Sequence, residues 1–267
     1  MQQEIIEGVA AGVPYVALPP QDRDVPAPLI VGWHLMEPPR GEHAMAAAVP
    51  MAGLNAWRVY LGLPLSGKRL PEGGFGEYMR LASEDAILNV YEPVYGQAAA
   101  EFPEAVAELR KRLSIADTPI GVFGGSAGSS VALEVLARGD VDIAAGAVVS
   151  PVVQLAPVIA RNERVYNVTY PWSERSRAVA DHYDFLRRAG EFTAPLLLVV
   201  GSADDVSFRE PSAALHRELG ERAELVMIDG MGHTFADEPG LEPAPQDRDA
   251  VRVDAAFTDW FARQLKA

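Results

Sequence analysis

The stretch from Ile120 to Leu133 constrains the fold more than any other part of the chain. A short apolar run, Ile120-Gly121-Val122-Phe123, enters Gly124-Gly125-Ser126-Ala127-Gly128, and a helix-compatible segment through Val131-Ala132-Leu133 leaves it. Gly124-x-Ser126-x-Gly128 has the form of a nucleophile elbow, a serine on a sharp turn from strand to helix. Such a turn strains the serine backbone and leaves room only for small residues two positions before and after it. It also aims the unpaired N–H groups of the helix start at any negative charge that develops beside the hydroxyl. The motif needs a strand before it and a helix after it to carry this meaning, and both patterns are present.

Apolar strand-like runs alternate with helical spacing along the rest of the chain. Residues Glu4 to Leu18 read as an opening antiparallel hairpin, around Ile5-Ile6 and Tyr15-Val16-Ala17-Leu18. Pro28 to Met36 reads as a buried strand running into a loop, Glu42 to Ala48 as a helix, and Ala56 to Leu61 as a strand. Leu63 to Arg80 holds two prolines and four glycines and is expected to be a long surface loop. Ala98, Phe102, Ala105, Val106, Leu109 and Leu113 recur at helical spacing. After the elbow helix, with Gly139 placed for a C-terminal cap, come strands at Ile143 to Ser150, Pro195 to Gly201 and Glu224 to Ile228. A helix is expected near Pro211 to Leu219, and Val253, Ala256, Phe257, Trp260, Phe261 and Leu265 mark an amphipathic closing helix. The fold class is therefore α/β, a mostly parallel twisted sheet of about eight strands covered on both faces by helices. Residues 1–267 are expected to form one domain, with a small cap or insertion at about 151–188.

Composition narrows the function by exclusion. A net charge of −14 disfavours nucleic acid and anionic membranes as partners. With no cysteine, the chain has no disulfide, thiolate metal site or cysteine nucleophile. No apolar run reaches the roughly 20 residues that span a bilayer. The N-terminal Met1-Gln2-Gln3-Glu4 lacks the basic start and apolar core of a leader, so a cytoplasmic protein is expected. Neither a metal cluster nor a cofactor fingerprint is visible, and the glycines of the elbow lack the lysine of a phosphate-binding loop. A small-molecule substrate and a monomer or homodimer are the expected partnership.

From the elbow outward, the chain resembles the α/β-hydrolase superfamily over nearly its whole length. It is most similar to the serine esterase branch with dienelactone-hydrolase-like and prolyl-oligopeptidase-like catalytic domains. Dienelactone hydrolases use cysteine, so its absence here points to serine chemistry. The resemblance implies a catalytic triad in the chain order serine, acid, histidine, with a histidine base held by a carboxylate. Of His34 and His233, only His233, in Gly230-Met231-Gly232-His233-Thr234-Phe235, follows both the elbow and the next strand. His182 and His216 lie in helix-compatible polar segments, His43 in the first helix, and His34 at a strand end, where it is expected to order a loop. The resemblance places the acid at Asp204, with Asp205 as a helix cap or surface carboxylate. It also implies an oxyanion hole made by the amide of Ala127 and a second amide from the loop after the first parallel strand. Relatives often carry His-Gly-x there, but this chain has His34-Leu35-Met36, so the donor is Met36 or, second, Leu35. Trp33, Tyr60, Trp172 and Tyr183 are candidates to line an acyl pocket, Trp33 and Trp172 first among them. The expected activity is hydrolysis of short-acyl carboxylic esters through an acyl-enzyme. Peptidase, amidase, thioesterase or acyltransferase chemistry on the same triad is the alternative, and a non-catalytic binding protein is the less favoured one.

Overall fold

The computed structural model describes residues 4–265, so Met1 to Gln3 of the N-terminal segment lie outside the described residues. Eight strands form one sheet in the order β1-β2-β4-β3-β5-β6-β7-β8. In chain order they are β1 (Ile6–Ala10), β2 (Val13–Leu18), β3 (Leu29–Trp33), β4 (Trp57–Leu61), β5 (Ile120–Gly125), β6 (Ile143–Val149), β7 (Leu196–Gly201) and β8 (Ala223–Ile228). The hairpin β1–β2 joins antiparallel to β4, and every pairing from β4 to β8 is parallel. The helices are α1 (Glu42–Ala48), α2 (Gly74–Ala86), α3 (Glu92–Arg112), α4 (Ala127–Arg138), α5 (Leu155–Tyr166), α6 (Glu174–His182), α7 (Val206–Leu219) and α8 (Arg248–Leu265). The expected α/β-hydrolase architecture is the observed one.

Alternation along the strands divides the core between the two sheet faces. Leu29, Val31 and Trp33 of β3 join Ala98 and Phe102 of α3 and Val131 of α4 in one buried cluster. Ile30 of β3 turns the other way and joins Met45 of α1 and Val253, Phe257, Trp260 and Phe261 of α8. Each large apolar side chain removed from water in this way contributes about 1.5–3 kcal/mol. Strand β5 lies inside the sheet between β3 and β6, so the turn at its end is supported on both sides.

Two expectations about local structure change. The segment Leu63 to Arg80 is not a loop throughout: a short 3-10 turn at Gly67–Arg69 precedes α2, which begins at Gly74. No residue of α2 is fully buried, so the helix leaves little apolar periodicity to read, and glycines flank its start. It stops at a break at Asp85 (φ −160°, ψ 99°), followed by a π-helical turn at Ile87–Tyr91 that leads into α3. Asp85 secures this break, accepting hydrogen bonds from the Leu88 amide and the Tyr170 hydroxyl. Helix α7 begins at Val206, earlier than expected, because Asp205 caps it and Pro211 sits inside it. The long β6–β7 connection contains α5 and α6, and Leu155, Val158 and Ile159 of α5 are buried at helical spacing.

Candidate active site

Three loops at the carboxyl edge of the parallel sheet converge on Ser126. The serine has φ 44° and ψ −114°, the sparsely populated region expected of an elbow. The flanking glycines are required by contact. A Cβ on Gly124 would lie 2.0 Å from the Gly128 carbonyl oxygen, and one on Gly128 would lie 2.5 Å from the carbonyl oxygens of Trp33 and His34. The turn, the start of α4 and the end of β3 are thus pressed together with no space for a side chain.

The β7 and β8 loops bring the other two predicted residues to the serine. His233 Nε2 is 2.8 Å from Ser126 Oγ, and His233 Nδ1 is 2.9 Å from Asp204 Oδ2. The Asp204 side chain is 1% exposed, and its second oxygen accepts the Asp205 amide at 2.7 Å. With a carboxylate at Nδ1, the imidazole proton resides there and Nε2 is left to accept the serine proton. Close approach of backbones holds the His233 loop. A Cβ on Gly201 would meet the Met231 carbonyl oxygen at 2.1 Å, and the Ala203 amide donates to that oxygen at 2.9 Å. Ser150 donates to the His233 carbonyl at 2.8 Å, and the Phe208 ring lies 4.0 Å from the imidazole, centre to centre. Neither Ser150 nor Phe208 belongs to a motif, so the sequence gives no signal for them. Asp205 faces away from this work, capping α7 by accepting the Ser207 amide at 2.9 Å. That hydrogen bond is the main reason its carboxyl is held below the usual range.

The loop after β3 supplies the other wall. The buried His34 ring joins Leu35 to Leu63: Nδ1 donates to the Leu35 carbonyl at 2.6 Å and Nε2 accepts the Leu63 amide at 3.2 Å. Burial lowers its pKa, which favours the neutral ring these bonds need. Leu35 does not serve as an oxyanion donor, because its amide donates to the Pro39 carbonyl at 3.2 Å. Its side chain is fully buried and packs over Gly125. Ala127 is the first residue of α4, so its N–H precedes the intrahelical ladder.

The aromatic candidates belong to the packing. Trp33 is buried with its ring 5.3 Å from Phe102, Tyr60 donates from within the core to the Val49 carbonyl, and Tyr183 lies edge-on to Tyr95. Trp172 is half-buried, edge-on to Tyr170 and beneath Arg177. Among the other histidines, His182 is half-exposed beside Glu134 and His43 contacts Glu7 at 3.1 Å.

One residue at the site escaped the sequence reading. Glu37, exposed at the loop tip after Met36, places Oε2 3.3 Å from Ser126 Oγ and 4.0 Å from His233 Nε2. Tyr78 of α2 extends its hydroxyl to the Met36 sulfur, 3.9 Å away. Burial, and then the Glu37 charge, push the Tyr78 phenol up to about 12 and also raise that of Tyr91. Among the described residues no group of metal-ligating side chains is assembled, and no helix is long and apolar enough to cross a membrane.

Comparison with known proteins agrees with this architecture. The uncharacterized Mycobacterium tuberculosis protein Rv2307c is 30% identical over 154 residues, 58% of this chain and 50% of that protein. The chain thus spans about half the length of the curated relatives it matches. The crystal structure of TT1662 from Thermus thermophilus superposes with a TM-score of 0.68 at 19% identity, covering 100% of both chains. A puromycin-hydrolyzing peptidase of Mycobacterium tuberculosis gives 0.69 at 18% identity, covering 98% of this chain but 40% of its own. At such identities the likeness is one of fold. The profile of the prolyl oligopeptidase family, Peptidase_S9, matches residues 90–267, which include the elbow and both loops that meet it. The chain belongs to the prolyl oligopeptidase family and has the α/β-hydrolase fold.

Proposed function

We propose that the chain hydrolyses small carboxylic esters through an acyl-enzyme on Ser126. The observation that carries this reading is the unbroken hydrogen-bonded series Ser126–His233–Asp204 on a strained elbow. Ser126 Oγ bonds to the ester carbonyl carbon while its proton passes to His233 Nε2, and the carbonyl π electrons move onto oxygen. The amides of Ala127 and Met36 face that oxyanion. Its collapse breaks the bond to the alkoxy group, which leaves with the proton from His233. Water then repeats the sequence and frees the acid and the serine. Asp204 stays ionised, fixes the imidazole orientation and stabilises the imidazolium.

Amide cleavage is the second reading, favoured by the family match and by the peptidases among the solved structures of this fold. The same apparatus serves both bonds, but an amine leaves less readily than an alkoxide and asks more of the proton transfer. A fluorophosphonate probe should label wild type and not Ser126→Ala. Turnover of an ester and an anilide of one acyl group then separates the readings. A higher kcat/KM on the anilide would make the protein a peptidase or amidase, and absence of labelling would remove the acyl-enzyme.

A further inference from the structure

The carboxylate of Glu37 is out of place in a site that must accumulate negative charge. It lies 3.3 Å from the attacking oxygen and 4.0 Å from the imidazole nitrogen that receives the proton. In a Ser-His-Asp site the orienting acid belongs at the other imidazole nitrogen, which Asp204 already fills at 2.9 Å. Among the described residues no lysine or arginine pairs with Glu37. The nearby Arg40 is committed to Glu238 at 2.8 Å, and its own amide to the Gly240 carbonyl. Those two ties also fix the base of the loop, so the carboxylate is held near the nucleophile. Its side chain is 50% exposed and can be reached by an incoming molecule.

The electrostatic consequence depends on the substrate. With a neutral acyl group, Glu37 repels the developing oxyanion but attracts the imidazolium that forms 4.0 Å away, so the two effects oppose each other. With a cation on the acyl group, Glu37 gains a partner on binding, and its repulsion of the oxyanion is offset. With an anionic acyl group the repulsion applies in the ground state as well.

We propose that Glu37 is a specificity-determining residue that selects acyl substrates carrying an ammonium group near the scissile carbonyl and rejects anionic ones. This rests on the acyl-enzyme reading of Ser126. It lies outside what the family match covers, because that match starts at residue 90.

The test uses three p-nitrophenyl esters of similar length at pH 7: 3-aminopropionyl, butyryl and succinyl. The first two differ only by an ammonium in place of a methyl. Wild type should favour the aminopropionyl over the butyryl ester by about tenfold in kcat/KM, and disfavour the succinyl ester by a similar factor. In Glu37→Gln both ratios should fall towards one, through slower reaction of the aminopropionyl ester and faster reaction of the succinyl ester. Because the carboxylate is half-exposed, raising the salt should compress the wild-type ratios as well, a readout that needs no variant. Wild-type ratios near one, or ratios that Glu37→Gln leaves unchanged, overturn the proposal. A neutral fluorophosphonate separates the two failures. Labelling of Ser126 without charge selectivity removes the role of Glu37 alone, whereas absence of labelling removes the acyl-enzyme and this inference with it.

Discussion

Two carboxylates approach His233 from opposite ends, and they are built in opposite ways. Asp204 is sealed under the loop after β7, 1% exposed in its side chain, with both oxygens accepting hydrogen bonds. Glu37 stands at the tip of the loop after β3, half-exposed, and takes only the longer of the two hydrogen bonds available to the Ser126 hydroxyl. The first is over-determined by backbone contacts, among them Gly201 against Met231. The second is fixed at its base and free at its end. A buried, saturated carboxylate suits a fixed charge that must hold its partner's geometry in every turnover. An exposed, unsaturated one suits an encounter with something that arrives from solution. The difference assigns one side of the nucleophile to chemistry and the other to selection.

The strongest challenge to this division is Ser126→Ala. Alanine tolerates the φ of 44° no worse than serine, so the fold and melting temperature should be retained. Ester turnover should fall by more than about a thousandfold, the scale of triad losses in serine hydrolases. Activity above that level on purified protein would place the nucleophile elsewhere and leave Asp204 and Glu37 without a common target.

Asp204→Asn comes next in size. Asparagine keeps the shape but favours the wrong imidazole tautomer, and in a Ser-His-Asp protease the same exchange lowers turnover about 10⁴-fold. A loss of several orders of magnitude in kcat, with binding of a non-hydrolysable ligand unchanged, is expected. Retained turnover would mean that Glu37 or another group orients His233, and the two carboxylates would have to exchange roles.

Gly201→Ala tests the rigidity claimed for the buried side. The added Cβ would fall 2.1 Å from a backbone carbonyl oxygen, so the His233 loop must move. Overpacking of this kind costs about 2 kcal/mol of stability, and a displacement near 1 Å costs about a hundredfold in rate. Thermal unfolding and kcat should therefore fall together. An unshifted kcat would show that the loop is softer than its contacts imply.

What could be read from the sequence follows the same division. The elbow, Asp204 and His233 stand at strand ends in a fixed chain order, so spacing and resemblance locate them before any contact is known. The sheet was legible because β3, β5, β6 and β7 are continuous apolar runs, the pattern of strands buried on both faces. Helix α2 was not, because none of its residues is fully buried and glycines flank its start. Glu37 was invisible for a related reason: an acidic residue at an exposed loop tip looks like any solvated charge until the chain is folded. Trp33 shows the converse error, since a large aromatic beside a catalytic loop invites a pocket role while its ring is spent on Phe102. Leu35 failed as an oxyanion donor through one backbone hydrogen bond to Pro39, a detail that residue type does not encode.

The smallest effect belongs to Asp205, and it separates adjacency from function on the buried side. Asp205 follows Asp204 in sequence, but its carboxylate is committed to the Ser207 amide at the start of α7. Asparagine still caps the helix but without the charge, so Asp205→Asn should lower kcat by less than tenfold, through a charge that is partly solvated. Asp205→Ala removes the cap and should cost about 1 kcal/mol of stability with turnover still nearly intact. The pH dependence has a definite sign. Because the folded pKa of Asp205 is lowered, the carboxylate stabilises the protein above the ordinary aspartate range, and this is lost as pH falls through the folded value. The gap in melting temperature between wild type and Asp205→Asn should accordingly close on acidification from pH 7 towards pH 3. If Asp205→Asn instead loses orders of magnitude in kcat at unchanged stability, Asp205 helps to hold His233, and the buried carboxylate acts as a pair.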